Sequence, residues 1–563
     1  MRNRVHKRWL VPVVAAALAG AMAAGTPTAS AGGTAPTAGH GPTQAPTAPS
    51  LVQGPGSDCF WYYGGIGADP LFNIAYPDAG AVYWAAYYRR PAGSKLTLEG
   101  TYPHARYFSF ISYDRLGQPV DGIADYQIAP NEGSANPFAP GARRNTPATK
   151  RGYTVSFDHT ANYDAATGKP AFTIRDPRND EPQRNALRTI PTASLGQTPL
   201  GVETGSDGVR YETDLVLMRV YVPDRGKDLT GGVGLPRPTL TLADGKKLTG
   251  QAACDATDSE SKDHARLDKG ATRLPEPSSL TLSEATYSAL RYPDRIPDSA
   301  DMLPNTPGVQ VQVFPPTGPK TPASYASPPP GVLFQTKRAV DPAFPATYSP
   351  GAGHGTSRTT RWTAQYDRSY LLQTWTGDDT VGANPTPGRT GGGFFPNIHN
   401  NYVRTVLSGK LGQVAVIKGK LPTAVSTRDH DPVMGSAQVR YASFCVNESV
   451  YTTRVMDCAY DEEVPVDKNG DYTIVVSLDQ DRPQNARTAC GVAYLARTAR
   501  GDGYQDHDFA WFQIRNMLPD TGFHQAVQNT KVPGDEATAM GSHLPNVTYM
   551  STDRFEAKGC TRR

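Results

Sequence analysis

Long amphipathic helices are almost missing from this sequence. The best 3.6-residue pattern is Leu280 to Leu290, which opens after Ser278-Ser279 and stops before Pro293. A helical bundle is therefore excluded. Cys-x-x-Cys is absent, which removes zinc ribbons and thioredoxin chemistry. The Gly-x-Ser-x-Gly elbow, His-Glu-x-x-His and the phosphate-binding Gly-Lys-Ser/Thr loop are absent too. Gly64-Gly-Ile-Gly67 is glycine-rich but opens no helical pattern, so it makes no dinucleotide fingerprint. Paired carboxylates for glycoside hydrolysis leave no signature that can be read without geometry.

Charge of one sign is also lacking. The 563 residues include 56 basic and 53 acidic side chains, a formal net charge of +3. Four of the basic ones, Arg2, Arg4, Lys7 and Arg8, precede an apolar run from Leu10 to Ala24 and a small-x-small site, Ala29-Ser30-Ala31. This is the pattern of a cleavable secretory signal peptide over residues 1–31. No Arg-Arg pair precedes the apolar run, which points to the general route over the twin-arginine one. Removing the leader leaves 52 basic against 53 acidic residues. No basic footprint for nucleic acid or anionic lipid remains. The leader's apolar run is shorter than the roughly 20 residues of a bilayer span, and no later run reaches that length. The expectation is a secreted, extracellular protein with no membrane span and no nucleic-acid partner.

What is present favours loop-rich β structure: 55 Gly, 50 Pro and 28 Tyr, with 38% hydrophobic residues. The chain is too long for one hydrophobic core. Residues 32–56 read as a disordered Ala/Pro/Thr-rich lead-in. Beyond it the chain repeats itself. Gly100, Pro103, Arg106, Tyr107, Ser109 and Phe110 match Gly419, Pro422, Arg440, Tyr441, Ser443 and Phe444, with an insertion in the second copy. Val120 to Ile128 matches Met456 to Val464, and Tyr153-Thr-Val matches Tyr472-Thr-Ile. Asp214, Arg219, Pro223 and Asp224 match Asp508, Arg515, Pro519 and Asp520, the first with a small gap. Four collinear matches, about 300 residues apart, indicate a duplicated domain and not a solenoid. Short alternating strands between Gly/Pro turns make the chain all-β. The prediction is two tandem, internally duplicated β-sandwich, jelly-roll-like domains over 57–254 and 360–563. A connector over 255–359 carries the short helix and a Pro-rich segment.

Six cysteines in an oxidising compartment are expected to form three disulfides, from 15 possible pairings. Cys59 and Cys254 bracket the first repeat and are expected to close it. Cys445, Cys458, Cys490 and Cys560 then pair among themselves in the second.

Arg106/Arg440 and Arg219/Arg515 stand in apolar strands of both copies, together with Asp125/Asp461 and Asp224/Asp520. A guanidinium fork fits a carboxylate through two hydrogen bonds. Retention in both copies favours structural Arg–Asp pairs that fix register or pin a corner. The alternative is a carboxylate-binding or catalytic pair. A functional site is sought instead where the copies differ. The insertion carries Asp429-His430-Asp431, Asp506-His507-Asp508 precedes the last strong strand, and His399 follows Gly391-Gly-Gly393. His399, His430, His507, Asp429, Asp431 and Asp506 could hold a divalent transition metal. Neighbours on a strand face opposite ways, so one ligand would have to come from each segment. The alternative is that they are solvated loop residues. Trp61, Tyr63, Trp84 and Tyr88 could stack a ligand, or could be sandwich core. Val466 to Asp471 starts like a calcium loop but has Leu478 where the bidentate Glu belongs, and Asn469-Gly470 fits a hairpin turn.

Asp461 to Ser477, Asp481-Arg-Pro-Gln-Asn-Ala486 and Arg515-Asn-Met-Leu-Pro-Asp520 resemble a family of secreted actinobacterial proteins of unknown function. That resemblance covers mainly Arg440 to Cys560. The Pro-x-Ala-Arg-Tyr-x-Ser piece is similar to bacterial jelly-roll domains of unknown function. The resemblance implies location and fold class, and no catalytic residues. The functional expectation is a secreted protein that binds an extracellular polysaccharide or a small apolar ligand. An extracellular hydrolase or metal-dependent enzyme with its site in the second domain is the alternative, and a structural envelope protein the third reading.

Overall fold

A computed structural model describes residues 58–61, 63–66, 76–113, 119–142, 144–158, 163–164, 169–170, 184–189, 201–204, 208, 210–257, 362–364, 395–427, 431–433, 435–448, 455–499, 501, 507–532 and 534–560. The leader, the lead-in, the Leu280 to Leu290 pattern and most of the connector lie outside these residues.

The first half contains Tyr63–Ile66 (β1), Ala81–Pro91 (β2), Lys95–Thr101 (β3), Ala105–Tyr113 (β4), Pro119–Ala124 (β5) and Gly152–Asp158 (β6). Tyr163–Asp164 (β7), Lys169–Pro170 (β8), Ala186–Arg188 (β9), Gly201–Thr204 (β10), Arg210–Pro223 (β11), Arg237–Thr241 (β12) and Lys247–Thr249 (β13) complete it. A short helix, Gln251–Thr257 (α1), follows. The second half contains Thr363–Ala364 (β14), Asn400–Ser408 (β15), Val414–Lys420 (β16), Val439–Asn447 (β17) and Val455–Tyr460 (β18). It continues with Asp471–Ser477 (β19), Ala493–Ala496 (β20), Phe509–Pro519 (β21) and Asn546–Met550 (β22). Glu536–Met540 (α2) and Thr552–Glu556 (α3) are its short helices.

The two halves repeat one topology. β2-β11-β4-β5 in the first sheet corresponds to β15-β21-β17-β18, and β12-β3-β6-β9 corresponds to β22-β16-β19-β20. In each half the pairing is antiparallel except at one place, β6 with β9 and β19 with β20. Single contacts repeat as well. The indole of Trp61 donates to Pro236 O at 3.0 Å, and that of Trp362 donates to Pro545 O at 3.1 Å. Gly100 and Gly419 both lack a side chain for the same reason: a Cβ would run into the hydroxyl of Tyr153 or Tyr472 and into Pro236 or Pro545.

Each half is a two-sheet sandwich. Trp84, Tyr88, Phe108, Phe110 and Met218 from one sheet meet Leu96, Leu98, Tyr153, Val155 and Phe157 from the other. In the second half Phe444, Phe512 and Ile514 meet Ile417, Ile474 and Val476. Side chains alternate along a strand, so a strand covered on one side should read buried, exposed, buried. β4, β17 and β21 are instead buried at every position. Their second face packs against the other half. Val433, Tyr441, Tyr460, Met517 and Leu518 of the second half accordingly belong to the core cluster of the first.

Three disulfides form. Cys59–Cys254 joins the start of the first half to α1, across 195 residues. Cys445–Cys458 joins directly opposed positions of β17 and β18. Cys490–Cys560 ties a short 3-10 turn to the C-terminal segment. Among the described residues no helix is long and apolar enough to cross a membrane.

Candidate functional site

The most polar buried region lies between the halves. An arm precedes the first long strand of each half, Tyr76 to Gly80 before β2 and Phe395 to His399 before β15, and each arm reaches into the other half. Arg515 Nη2 donates to Tyr76 O at 2.8 Å, and Arg219 Nη2 donates to Phe395 O at 2.8 Å. Tyr76 and Phe395, at equivalent places, have φ of 54° and 50°; Val222 and Leu518, also equivalent, have 47° and 42°. Such values strain residues other than glycine and persist only where the surroundings hold them. The holding contacts are visible: Val222 N donates to Gly80 O, and Leu518 N donates to His399 O.

Two of the arginines and two of the aspartates shared by the copies pair crosswise. Arg106 Nη1 bonds Asp461 Oδ1 at 2.6 Å, and Arg440 Nη1 bonds Asp125 Oδ1 at 2.7 Å. Arg106 also binds Glu462. The other carboxylate oxygen of each aspartate caps its own sheet: Asp125 Oδ2 accepts from Phe108 N, and Asp461 Oδ2 accepts from Ala442 N, both at 2.9 Å. Both bonds join one copy to the other, which sequence identity between copies could not say. Arg219 and Arg515 do not pair with Asp224 and Asp520. Asp224 binds Arg144 at 3.0 Å, and Asp520 Oδ1 accepts from Gly522 N at 2.8 Å.

The two arms differ in chemistry. Asp78 of the first arm accepts from the Tyr441 hydroxyl (2.7 Å), the Ser443 hydroxyl (2.7 Å) and Gly80 N (3.1 Å), and faces Arg515 Nη1 at 3.2 Å. The equivalent residue of the second arm is Asn397, and Gly80 is replaced by His399. Asn397 Oδ1 keeps the matching contacts, the Tyr107 hydroxyl at 3.2 Å and His399 N at 3.1 Å. The Tyr107 hydroxyl also lies 2.7 Å from His399 Nδ1. Asn397 Nδ2, His399 Nε2 and two nitrogens of Arg219, Nε and Nη1, have no hydrogen-bond partner among the described residues. All three side chains are almost fully buried. Burial, and then the cations Arg440, Arg184 and Arg219, push the His399 imidazole down to about 3. It is therefore neutral, with a single ring N–H; the Tyr107 hydroxyl has one proton for two neighbours, Asn397 Oδ1 and His399 Nδ1.

The metal grouping read from the sequence does not assemble. Asp429, His430 and Asp506 lie outside the described residues. His399 is buried at the start of β15, whereas His507 is exposed next to Phe509, which pairs with the last residue of β15. A strand of that length sets them on the order of 25–30 Å apart, so they share no ion. Asp431 is exposed and its carboxylate accepts from Ser426 N. The one close triplet among the described residues is Asp78, Cys445 and Cys458, but its sulfurs are joined to each other.

The aromatic platform is also corrected. Trp61, Trp84 and Tyr88 are fully buried, because the inward positions of β2 and the segment before β1 face the opposite sheet. Trp61 stacks on Phe110 and Tyr88 on Phe157. Tyr63 lies in β1, and its side chain is outside the described set. Val466 to Asp471 is a turn: Gly470 has φ 80°, and Asp467 accepts from Asn469 N and Asp471 N.

The state of His399 has a consequence for stability. Its ordinary value is 6.5 and its folded value about 3, so between these the unfolded chain binds a proton that the folded protein does not. Stability then falls as pH falls from 6.5, by at most about 1.4 kcal/mol per unit. Asp457 works oppositely: burial raises its carboxyl from 3.8 to about 6, and stability falls as pH rises through that window. The two offset each other in the native chain. Urea midpoints of the native protein and a His399→Gln variant, taken from pH 7 to pH 4, should therefore diverge, the native chain losing ground as pH falls. Parallel curves would show that His399 does not titrate in this way.

No protein-family model matches the chain, and no curated protein matches it. Among solved structures, the chain is similar to an uncharacterized protein from Burkholderia cenocepacia, with 10% identity over 88% of this chain and 84% of that one and a TM-score of 0.38. It is also similar to the VPA0106 protein from Vibrio parahaemolyticus, with 10% identity over 85% of this chain and 92% of that one and a TM-score of 0.30. Likeness at this level implies nothing about function.

Proposed function

We propose that the protein is secreted and binds a small extracellular ligand at the centre between its two halves. The observation that carries this reading is the set of buried nitrogens on Arg219, Asn397 and His399 that find no hydrogen-bond partner among the described residues. Buried polar groups are normally satisfied, and an unsatisfied group costs on the order of 1–3 kcal/mol or more. Buried polar groups left without a partner are the kind that fix the orientation of a bound ligand. The extracellular assignment is supported by the leader, the three disulfides and the resemblance of Arg440 to Cys560 to secreted actinobacterial proteins. A polysaccharide partner loses its support with the burial of Trp61, Trp84 and Tyr88. A metal-dependent enzyme loses its support with the separation of His399 from His507.

Native mass spectrometry of the protein purified from culture medium tests this reading. The expected spectrum contains a small adduct that is lost on denaturation and is missing from an Arg219→Met variant. A bare native mass, together with no stabilisation by any member of a panel of apolar, anionic and saccharide compounds, would remove the binding function.

A further inference from the structure

We infer that the group recognised at this centre is a carboxylate, anchored by Arg219; the inference rests on the ligand-binding reading and names the chemistry of its ligand. The protein contains its own template. In one copy the cradle of Tyr441, Ser443, Arg515 and a backbone N–H closes around the carboxylate of Asp78. In the other copy the same places hold Tyr107, Ser109, Arg219 and His399 N. There the register pairs Arg219 with Ser109 and Tyr83, as it pairs Arg515 with Ser443 and Tyr402. What fills the second cradle is the amide of Asn397. Its Oδ1 reproduces one half of the Asp78 contacts. Its Nδ2 takes the place of the second carboxylate oxygen and has no hydrogen-bond partner among the described residues.

The charges agree. Arg106, Arg184, Arg440 and Arg515 each touch a carboxylate: Asp461, Asp121, Asp125 and Asp78 respectively. Arg219 touches none among the described residues; its guanidinium lies over the rings of Tyr83 and Tyr113 and donates to one carbonyl. A buried guanidinium stays charged, and leaving it without a counter-charge is expensive. One positive charge calls for one negative charge, and a planar fork calls for a planar acceptor. The Gly80-to-His399 exchange changes the cradle: a Cβ on Gly80 would lie 2.6 Å from the Tyr441 hydroxyl, whereas at the matching place His399 sets Nδ1 2.7 Å from the Tyr107 hydroxyl and leaves Nε2 without a partner among the described residues. Arg219 Nε and Nη1 and Asn397 Nδ2 are donors without an acceptor among the described residues.

The test uses the whole mature protein and sodium formate or acetate as probe, at constant ionic strength in a buffer free of other carboxylates. The thermal midpoint should rise with the logarithm of probe concentration, as it does when a ligand binds the folded state alone. An Asn397→Asp variant, which supplies the missing carboxylate from the chain itself, should start at a higher midpoint and show no response. Calorimetric titration of the native protein gives the same answer without a variant. An Asn397→Asp protein that responds like the native one would overturn the carboxylate. So would a native protein that ignores formate and acetate but is stabilised by neutral compounds in an Arg219-dependent manner, an outcome that leaves the binding function standing. Silence toward every compound would mean that water alone meets these donors, and both readings would fall.

Discussion

Replacing Arg440 with Met should lower the unfolding free energy by about 3–5 kcal/mol at neutral pH, the cost of leaving a buried partner charge alone. Both Arg440 and Asp125 are fully buried, and the bond between them crosses from one half to the other. Removing the cation leaves Asp125 with its two backbone donors, Phe108 N and Tyr126 N, and no counter-charge. Burial already holds the Asp125 carboxyl above its ordinary value against the pull of Arg440. Without Arg440 the easiest relief is protonation. The loss should therefore shrink as pH falls, and Asp125→Asn introduced on top of Arg440→Met should recover part of it. Denaturant titrations of the single and double variants at two pH values check this. A cost that is below about 1 kcal/mol and independent of pH would place the pair among ordinary surface ion pairs.

Separating the halves should have a larger effect still. Residues 57–254 and 360–563, each produced alone, should not fold. Each would expose the outer faces of strands that are buried along their whole length, β4 in one case and β17 and β21 in the other. Each would also expose unpaired members of the crossed Arg–Asp bonds. Exposed apolar sheet faces of that size drive association or aggregation. Co-produced halves should instead co-purify in equal amounts and unfold in one transition. Size exclusion and calorimetry decide the matter: a monodisperse, folded single half would show that the contact between halves is an accessory.

The sheets were legible because a repeated pattern of strands and glycines carries its own alignment. Gly100, Tyr153 and Arg106 have the same relation to one another as Gly419, Tyr472 and Arg440, and that relation is a piece of topology. The direction of the Arg106 and Arg440 bonds was not legible. Two copies of one motif look alike whether each closes on itself or on its mate, and only the fold distinguishes the two. The aromatic residues of β2 left two readings open, platform or core, for a related reason: alternation with two buried faces erases the polar positions that mark an outer side. Asp78, Gly80 and Asn397 were overlooked, and His399 was read as a metal ligand, because the match of the arms is short. A signal did exist: Tyr76-Pro77-Asp78 and Phe395-Pro396-Asn397 each stand five residues before a tyrosine, Tyr83 and Tyr402. Extending the collinear alignment upstream to those tyrosines would have exposed the Asp-to-Asn and Gly-to-His exchanges. The separation of His399 from His507 belongs to strand length and had no representation in residue type.

The crossed arms also bear on what a fused chain can do that a pair of identical chains cannot. Where two identical subunits meet on a dyad, every substitution arrives in duplicate, so an aspartate at the centre is either present in both cradles or absent from both. Covalent joining of the two copies removes that constraint. Position 78 can keep an acid that pairs with the arginine of one cradle, while position 397 drifts to an amide and leaves the arginine of the other without a carboxylate. One seam then holds the molecule together and the other is released from that duty. The broken symmetry of the arms, the loss of the acid at position 397 above all, is what separates a clasp from a receptor here.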